Sequence, residues 1–441
     1  MRFTAPRRLA IASLATVLVA GVLAGCRGAD NQPTTDDSGI KTDFGVTKEP
    51  CPQAINKAKG CIYLGTLSDL TVGPFKPLAI PITDAQKAFW NRVNKAGGIG
   101  GYEIDVTTYV KDNKYDPQTT NQVYQEIKPK ILALAQTLGS PTTAAILPDL
   151  KASNVVAAPA AWTSGFAFED VILESGAPYC VESMNAIDWA TGAKPTIKTV
   201  MAVHYPGDYG DDAAAGAKYA AEKLGLTFIN TPTTPGADKQ AGAISEIVSK
   251  KPDLVILTTA PTEAAVIVGQ VGAAAQTSGY APMFVGTSPS WNPALNASAA
   301  APAFKALYFQ SGPWGPWGTD SPGHKAMREA LGTPNPLSDG YTAGWVWSYP
   351  LKAALEKAAA NKDLTRAGLL AAAKSLTSVD YEGMLPAGAG NFAGGAGGIV
   401  KVSTISQPDP TQPTGVKTVA PLAAGPTASG YTLDKPCFQA G

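Results

Sequence analysis

The sequence predicts an α/β protein built as two lobes, each a doubly wound parallel sheet. Three observations carry this reading. Short apolar or β-branched runs alternate with helical stretches, the alternation comes in two separate series, and 441 residues exceed what one ordinary core holds. Hydrophobic residues make up 45% of the chain, enough to fill two cores despite 45 glycines and 36 prolines.

In chain order, the first feature is an export signal. Arg2, Arg7 and Arg8 form a basic start with no acid before Cys26, and Leu9 to Gly25 is apolar or small apart from Ser13 and Thr16. That run is a little short of the ~20 residues a spanning helix needs, and its layout is that of a signal peptide over residues 1–25. Leu23-Ala24-Gly25-Cys26 resembles the bacterial lipoprotein box, which implies cleavage and lipid attachment at Cys26. The competing reading, an uncleaved anchor, has no need of that tetrapeptide. Residues 26–50 are polar, with Gly, Pro and Asp, and are expected to form a flexible tether.

The first βα series starts with the strand CIYLGTL (61–67) and the loop SDLTVGPFKP. Thr83 with Gln86 forms a capping-box pattern for the helix that follows, and Gly97-Gly98 closes it. YEIDVTTYV alternates as a strand does, and Asp116-Pro117 opens the next helix with a cap and a first-turn proline. KILALAQTLG, SPTTAAILPDLKAS and VVAAPAA then read as strand, helix and strand. A second series begins near Cys180. TIKTVMAVHY, LVILTTA and MFVGTS are strands, separated by DYGDDAAAGAKYAAEKLGL, DKQAGAISEIVSKKPD and PTEAAVIVGQVGAAAQTSGY as helical segments. YFQSGPWGPWGTDSPG breaks the rhythm as a connection, and two further helices follow. GNFAGGAGGIVKVSTISQ reads as a glycine-turned hairpin, and GVKTVAPLAAG as a last strand.

Charge and cysteine content narrow the function. Loss of residues 1–25 leaves 32 basic against 35 acidic side chains, with no basic field for nucleic acid. Besides Cys26, the four cysteines Cys51, Cys61, Cys180 and Cys437 suggest disulfides in an exported chain. Three pairings are open. Proximity around the first strand favours Cys51–Cys61, which leaves Cys180–Cys437. Metal binding is the rival, but no CxxC occurs, and the two histidines, His204 and His324, lie far from any cysteine in sequence, so no metal and no cofactor are expected. A serine hydrolase of α/β type needs a G-x-S-x-G elbow, which is absent, and GAGNFAGGAGG lacks the spacing and Lys-Ser/Thr ending of a phosphate loop. The chain is therefore expected not to be an enzyme.

Several segments together resemble the solute-binding proteins of branched-chain amino-acid type ABC transporters. They are LGTLSDLTVGP, NRVNKAGGIGGYEIDV, YDPQTTNQVYQEI, LGSPTTAAILPDL, VVAAPAAW, VMAVHYPGDYGDDAAAGAKYAAEKLG and DGYTAGWVWSYPLKAAL, in that order. The resemblance implies two lobes joined by three crossovers, with the ligand in the cleft. It places the crossovers near 179–182, 308–311 and 383–386, giving a first lobe of 51–181 with 311–383 and a second of 182–310 with 384–441. It puts Cys180 at a hinge, where a bond to Cys437 would fasten the tail.

The resemblance also implies site residues. Gly139-Ser140-Pro141-Thr142-Thr143 matches the segment whose hydroxyls and amides hold a ligand carboxylate, with Ser140 and Thr142 as contacts; the competing role of Ser140 is helix capping. Pro159-Ala160-Ala161-Trp162-Thr163 matches the second contact segment, in which Ala161 would offer a carbonyl and Thr163 a hydroxyl. Trp162, larger than the family's usual residue, either walls the pocket or plugs the lobe. Tyr209 matches a tyrosine covering the ligand from the second lobe, and Phe75 an aromatic wall. Glu263 is the acid available for an ammonium group, set against a simple role at a helix start. Trp291, Trp314 and Trp317 are expected to pack locally, and His204 to be structural. The implied function is an extracytoplasmic, lipid-anchored, monomeric receptor. It would close over a small polar ligand (an amino acid, amide or small carboxylate) for ABC permease subunits, the alternative being a sensor of the same fold.

Overall fold

A computed structural model describes residues 33–439. Cys26 and the expected signal peptide lie outside the described residues. The expected tether does not hold from Thr34 onward. There the chain forms three two-residue strands, β1 (Thr34–Thr35), β2 (Lys41–Thr42) and β3 (Val46–Thr47). The cause is specific anchoring that composition does not reveal: Ile40 is buried in the first lobe's core, and Asp36 accepts hydrogen bonds from the Tyr102 hydroxyl and the Ile40 amide.

The first lobe then runs β4 (Gly60–Ser68), α1 (Lys76–Lys95), β5 (Tyr102–Asp112), α2 (Pro117–Ile127), β6 (Ala133–Leu138), α3 (Ser140–Ala152) and β7 (Ala157–Ala160). The strands lie parallel in the order β5-β4-β6-β7, with β3 added antiparallel at the start of β4. Asp116 caps α2 by accepting from the Thr119 amide at 2.6 Å, as the Asp-Pro pair predicts. The capping box does not form. Helix α1 starts seven residues earlier, at Lys76, so Thr83 and Gln86 sit inside it. Their side chains are instead buried against the sheet, with Gln86 donating to the Ala135 carbonyl and Thr83 to the Ala79 carbonyl.

The second lobe holds α4 (Tyr179–Ala193), β8 (Thr199–His204), α5 (Asp208–Lys223), β9 (Thr227–Pro232), α6 (Ala241–Lys250), β10 (Leu254–Thr258), α7 (Pro261–Ser278), β11 (Met283–Gly286), α8 (Ala301–Leu307) and β12 (Tyr308–Gly312). After β12 the chain returns to the first lobe with α9 (Pro322–Leu331), α10 (Gly340–Ala360), β13 (Asp363–Leu364) and α11 (Arg366–Lys374). It ends on the second with β14 (Ser403–Pro408), β15 (Val416–Ala423) and α12 (Pro426–Gly430). Strands β9-β8-β10-β11-β12 are parallel, and β14 and β15 extend the sheet antiparallel. Helices cover both faces, which is why a strand such as β10, Leu-Val-Ile-Leu-Thr, is buried along its whole length.

The hairpin turn lies between Pro408 and Gly415 rather than in the glycine-rich stretch, which forms 3-10 turns over 392–398. That stretch also moves the third crossover. Val379 donates to the Ala389 carbonyl and Ala393 to the Leu376 carbonyl, so residues 384–398 stay on the first lobe, and Ile399 is the first to pack on the second. Disulfides join Cys51 to Cys61 and Cys180 to Cys437. The second bond ties the tail to the first turn of α4, beside the first crossover. Cys180, Asp212 and Cys437 are the one cluster of potential metal ligands among the described residues. Its two sulfurs are bonded to each other, and Asp212 accepts from the Cys180 amide. Among the described residues no helix is long and apolar enough to cross a membrane.

Candidate functional site

In each sheet the strand order reverses direction at the first strand of its series: β5 lies to one side of β4 and β6 to the other, and β9 and β10 flank β8 in the same way. Loops leaving the carboxyl ends on either side of such a point diverge and leave a crevice. The loops after β4, β6 and β7 face those after β8, β11 and β12 across one cleft of about 950 Å³, counted to its open mouth.

The cleft is walled by aromatic rings in two groups. Phe75, Tyr115 and Tyr209 form one, with Phe75 4.7 Å from Tyr115 and 6.0 Å from Tyr209 between ring centroids. Phe75 is held by Asp69, a fully buried residue that accepts from the Gly73 and Phe75 amides; burial nevertheless raises the pKa of its carboxyl. Trp162, Trp314 and Trp347 form the other group, at 4.7–5.5 Å from one another. Tyr179 touches both groups, 5.6 Å from Trp162 and 4.7 Å from Tyr209. Leu78, Ile82, Trp291 and Val416 add apolar surface, and among the described residues no Lys, Arg or His lines the cleft.

The polar groups are few. Ser140 stands at the first position of α3, and Gly139 occupies the cap with φ 99° and no side-chain capping bond. Ser140 therefore does not cap the helix. Its hydroxyl is buried without a partner, beside a helix start whose first amides have no partners within the helix. Asp339 is the one acid in the wall. It accepts from the Trp317 amide, and burial pushes its carboxyl up to about 6. Ser288 and Ser311 belong to the wall too and both donate to Glu182, a carboxyl buried on α4 just behind them. Burial pushes Glu182 up to about 7 against those hydrogen bonds.

Of the residues expected in the site, Phe75, Ser140, Trp162 and Tyr209 come together around the cleft, and four do not. Thr142 turns its hydroxyl back to the Leu138 and Gly139 carbonyls. Ala161 packs in the core with Leu67 and Ile146. Thr163 is buried at the start of a 3-10 turn over Ser164–Phe168, away from the wall. Glu263, in the first turn of α7, accepts from the Gly236 amide and so points along its own lobe. Trp162 is a wall residue, with its indole N–H given to the Ser175 carbonyl at 2.7 Å. Trp314 lines the cleft where local packing was expected; Trp291 packs locally against Phe304 and Tyr308 and also reaches the cleft wall, and Trp317 packs locally against Tyr341. His204 is structural, bonded to the Tyr205 carbonyl and to Asn230. Sequence reasoning missed Tyr115, Tyr179, Asp339 and Trp347. The available signal was the i, i+3, i+7 spacing of Gly340, Ala343 and Trp347 on α10, which turns one face of that helix to the cleft.

The family described as periplasmic binding protein matches residues 62–408. The chain belongs to the periplasmic binding protein family. It has the type I fold shared by substrate-binding proteins of branched-chain amino-acid ABC transporters. Among solved structures, it is similar to a fatty acid ABC transporter substrate-binding protein from Thermomonospora curvata. The two are 30% identical, with a TM-score of 0.82 over 91% of this chain and 99% of the other. A branched-chain amino acid ABC transporter structure with bound valine, from Thermus thermophilus, shares the fold at 15% identity, with a TM-score of 0.68 over 84% and 98% of the two chains. A leucine-binding protein from Thermotoga maritima does so at 14%, with a TM-score of 0.66 over 82% and 99%. Comparison with curated protein sequences finds no match. This periplasmic binding protein is thus a solute-binding protein of the ABC-transporter type, a family of receptors rather than enzymes.

Proposed function

We propose that this periplasmic binding protein captures a carboxylic acid with a large apolar body and delivers it to the permease of an ABC importer. One observation carries the reading: among the described residues the cleft wall is mostly aromatic and aliphatic with no cationic side chain, and its one unpartnered hydroxyl, on Ser140, sits at a helix start. An apolar body gains roughly 25 cal/mol for each Å² removed from water against such a wall. A carboxyl end suits the Ser140 hydroxyl and the free amides of α3. Phe75, Trp162 and Tyr209 would contact the body.

An amino acid fits less well. Its ammonium group would meet a mostly aromatic and aliphatic wall in which the one acid among the described residues, Asp339, already accepts from the Trp317 amide, while Glu263 turns an oxygen to the Gly236 amide instead of the cleft. The likeness to the Thermomonospora protein supports an acyl ligand. Thermal shift against fatty acids, aromatic acids and branched-chain amino acids tests this, with about 2.7 kcal/mol of stabilisation expected at a hundredfold excess over the dissociation constant. Stabilisation by amino acids alone would reject the apolar-acid reading. We further propose that a lipid on Cys26 holds the receptor at the outer face of the cell membrane. Cys26→Ser should then release it to the soluble fraction, and continued membrane attachment would disprove the anchor.

A further inference from the structure

Among the polar side-chain atoms of the cleft wall, two are buried with no hydrogen-bond partner: the Ser140 hydroxyl and the indole N–H of Trp347. Trp347 is 2% exposed, so no bulk water reaches most of it. Three other indoles of the region have partners. Trp162 donates to the Ser175 carbonyl, Trp345 to the Tyr349 hydroxyl at 3.0 Å, and Trp291 to the Thr414 carbonyl at 3.5 Å. Trp90 also has a buried unpartnered N–H, but it packs within the core of the first lobe and is not part of the cleft wall. A buried donor without an acceptor is costly, and a ligand that brings an acceptor to it removes that cost.

The two unpartnered groups belong to different aromatic clusters. Ser140 follows Gly139, whose Cβ position would lie 2.6 Å from the Tyr115 ring, and so it belongs with Phe75, Tyr115 and Tyr209. Trp347 is fixed on α10 between Trp162 and Trp314, on the far side of Tyr179. We infer that Trp347 is a specificity-determining residue: its indole N–H receives a second oxygen of the ligand, part-way along the apolar body, while the carboxyl end sits at Ser140. The inference rests on the apolar-acid reading above and narrows it. The ligand is an oxygenated acid, bearing a keto, hydroxyl or ester oxygen, rather than a plain hydrocarbon acid. A plain chain would leave the N–H buried and unpaired, and a polar atom on the chain restores the bond it makes with water elsewhere.

The test uses the full chain with two probes, palmitate and a palmitate carrying a mid-chain ketone, measured by equilibrium dialysis. The keto acid is expected to bind about tenfold more tightly than palmitate. In Trp347→Phe, which keeps a ring in the cluster, that preference, read as the ratio of the two affinities in the same protein, should collapse to within about twofold. Equal binding of the two probes by the unaltered chain overturns the inference. So does an equal loss for both probes in the variant, because Trp347 would then serve as a wall or as a carboxyl donor. Failure of either acid to bind the unaltered chain overturns the apolar-acid reading itself. Should Trp347→Phe not fold, the Trp347 indole N–H resonance of the unaltered chain decides: it should shift downfield with the keto acid only, and an equal shift with both probes rejects the proposal.

Discussion

Phe75 of the first lobe and Tyr209 of the second meet edge to face across the cleft, with their planes 80° apart. Each is buried, and Tyr209 is steadied from its own lobe by the Thr287 hydroxyl at 3.1 Å. A ligand that separates or replaces this contact touches both lobes at once, which is how binding energy favours a closed arrangement. Tyr209→Ala is expected to weaken the best ligand by about 2 kcal/mol, the cost typical of a buried aromatic anchor, while the chain still melts cooperatively. Calorimetric titration measures this, and unchanged affinity would take Tyr209 out of the ligand's contacts.

Gly139 offers a sharper test of the helix start. Its φ of 99° is unfavourable for residues with a side chain, and an added Cβ would come within 2.5 Å of the Thr142 hydroxyl oxygen. Gly139→Ala should cost upwards of about 1 kcal/mol in denaturant unfolding and weaken carboxylate ligands as α3 shifts. A variant with full stability and affinity would show that the turn tolerates a side chain.

Glu182 makes stability depend on pH. Its folded pKa, about 7, lies above the ordinary 4.5, so between those values the folded chain keeps a proton that the unfolded chain has released. Stability therefore falls as pH rises through that window and is unaffected by this group below it. Glu182→Gln removes the titration, so the stability difference between parent and variant should change by up to about 3 kcal/mol between pH 4.5 and 7. Asp339, raised to about 6, titrates in both proteins and cancels in the difference. Urea midpoints across that range measure it; a difference that does not vary with pH would mean that Glu182 is already ionised throughout.

The two disulfides should differ in worth. Cys51 and Cys61 are ten residues apart, Cys180 and Cys437 257. Chain-entropy arguments set upper limits of about 3 kcal/mol for the short loop and about 5.5 for the long one. Replacing Cys180 and Cys437 together by serine should lower the unfolding midpoint more than replacing Cys51 and Cys61. The reverse order would place the long bond's contribution in the folded tail rather than in the unfolded chain.

The sequence by itself determined the order of strands and helices, the two series and the helix signals at Asp116 and Gly97-Gly98. These depend on periodicity and on backbone preferences within a few residues. The resemblance to the solute-binding proteins brought Phe75, Ser140, Trp162 and Tyr209 forward as candidates, at places compatible with the carboxyl ends of strands. Tertiary structure alone decided which way side chains face. Glu263 found the Gly236 amide instead of the cleft, Thr142 its own strand's carbonyls, and Ile40 the first core, turning an expected tether into strands. It also assembled the tryptophan wall from residues 162, 314 and 347, which are separated by up to 185 positions and share no local pattern. Contacts between such distant segments follow from how sheets and helices pack, and no window of sequence contains them.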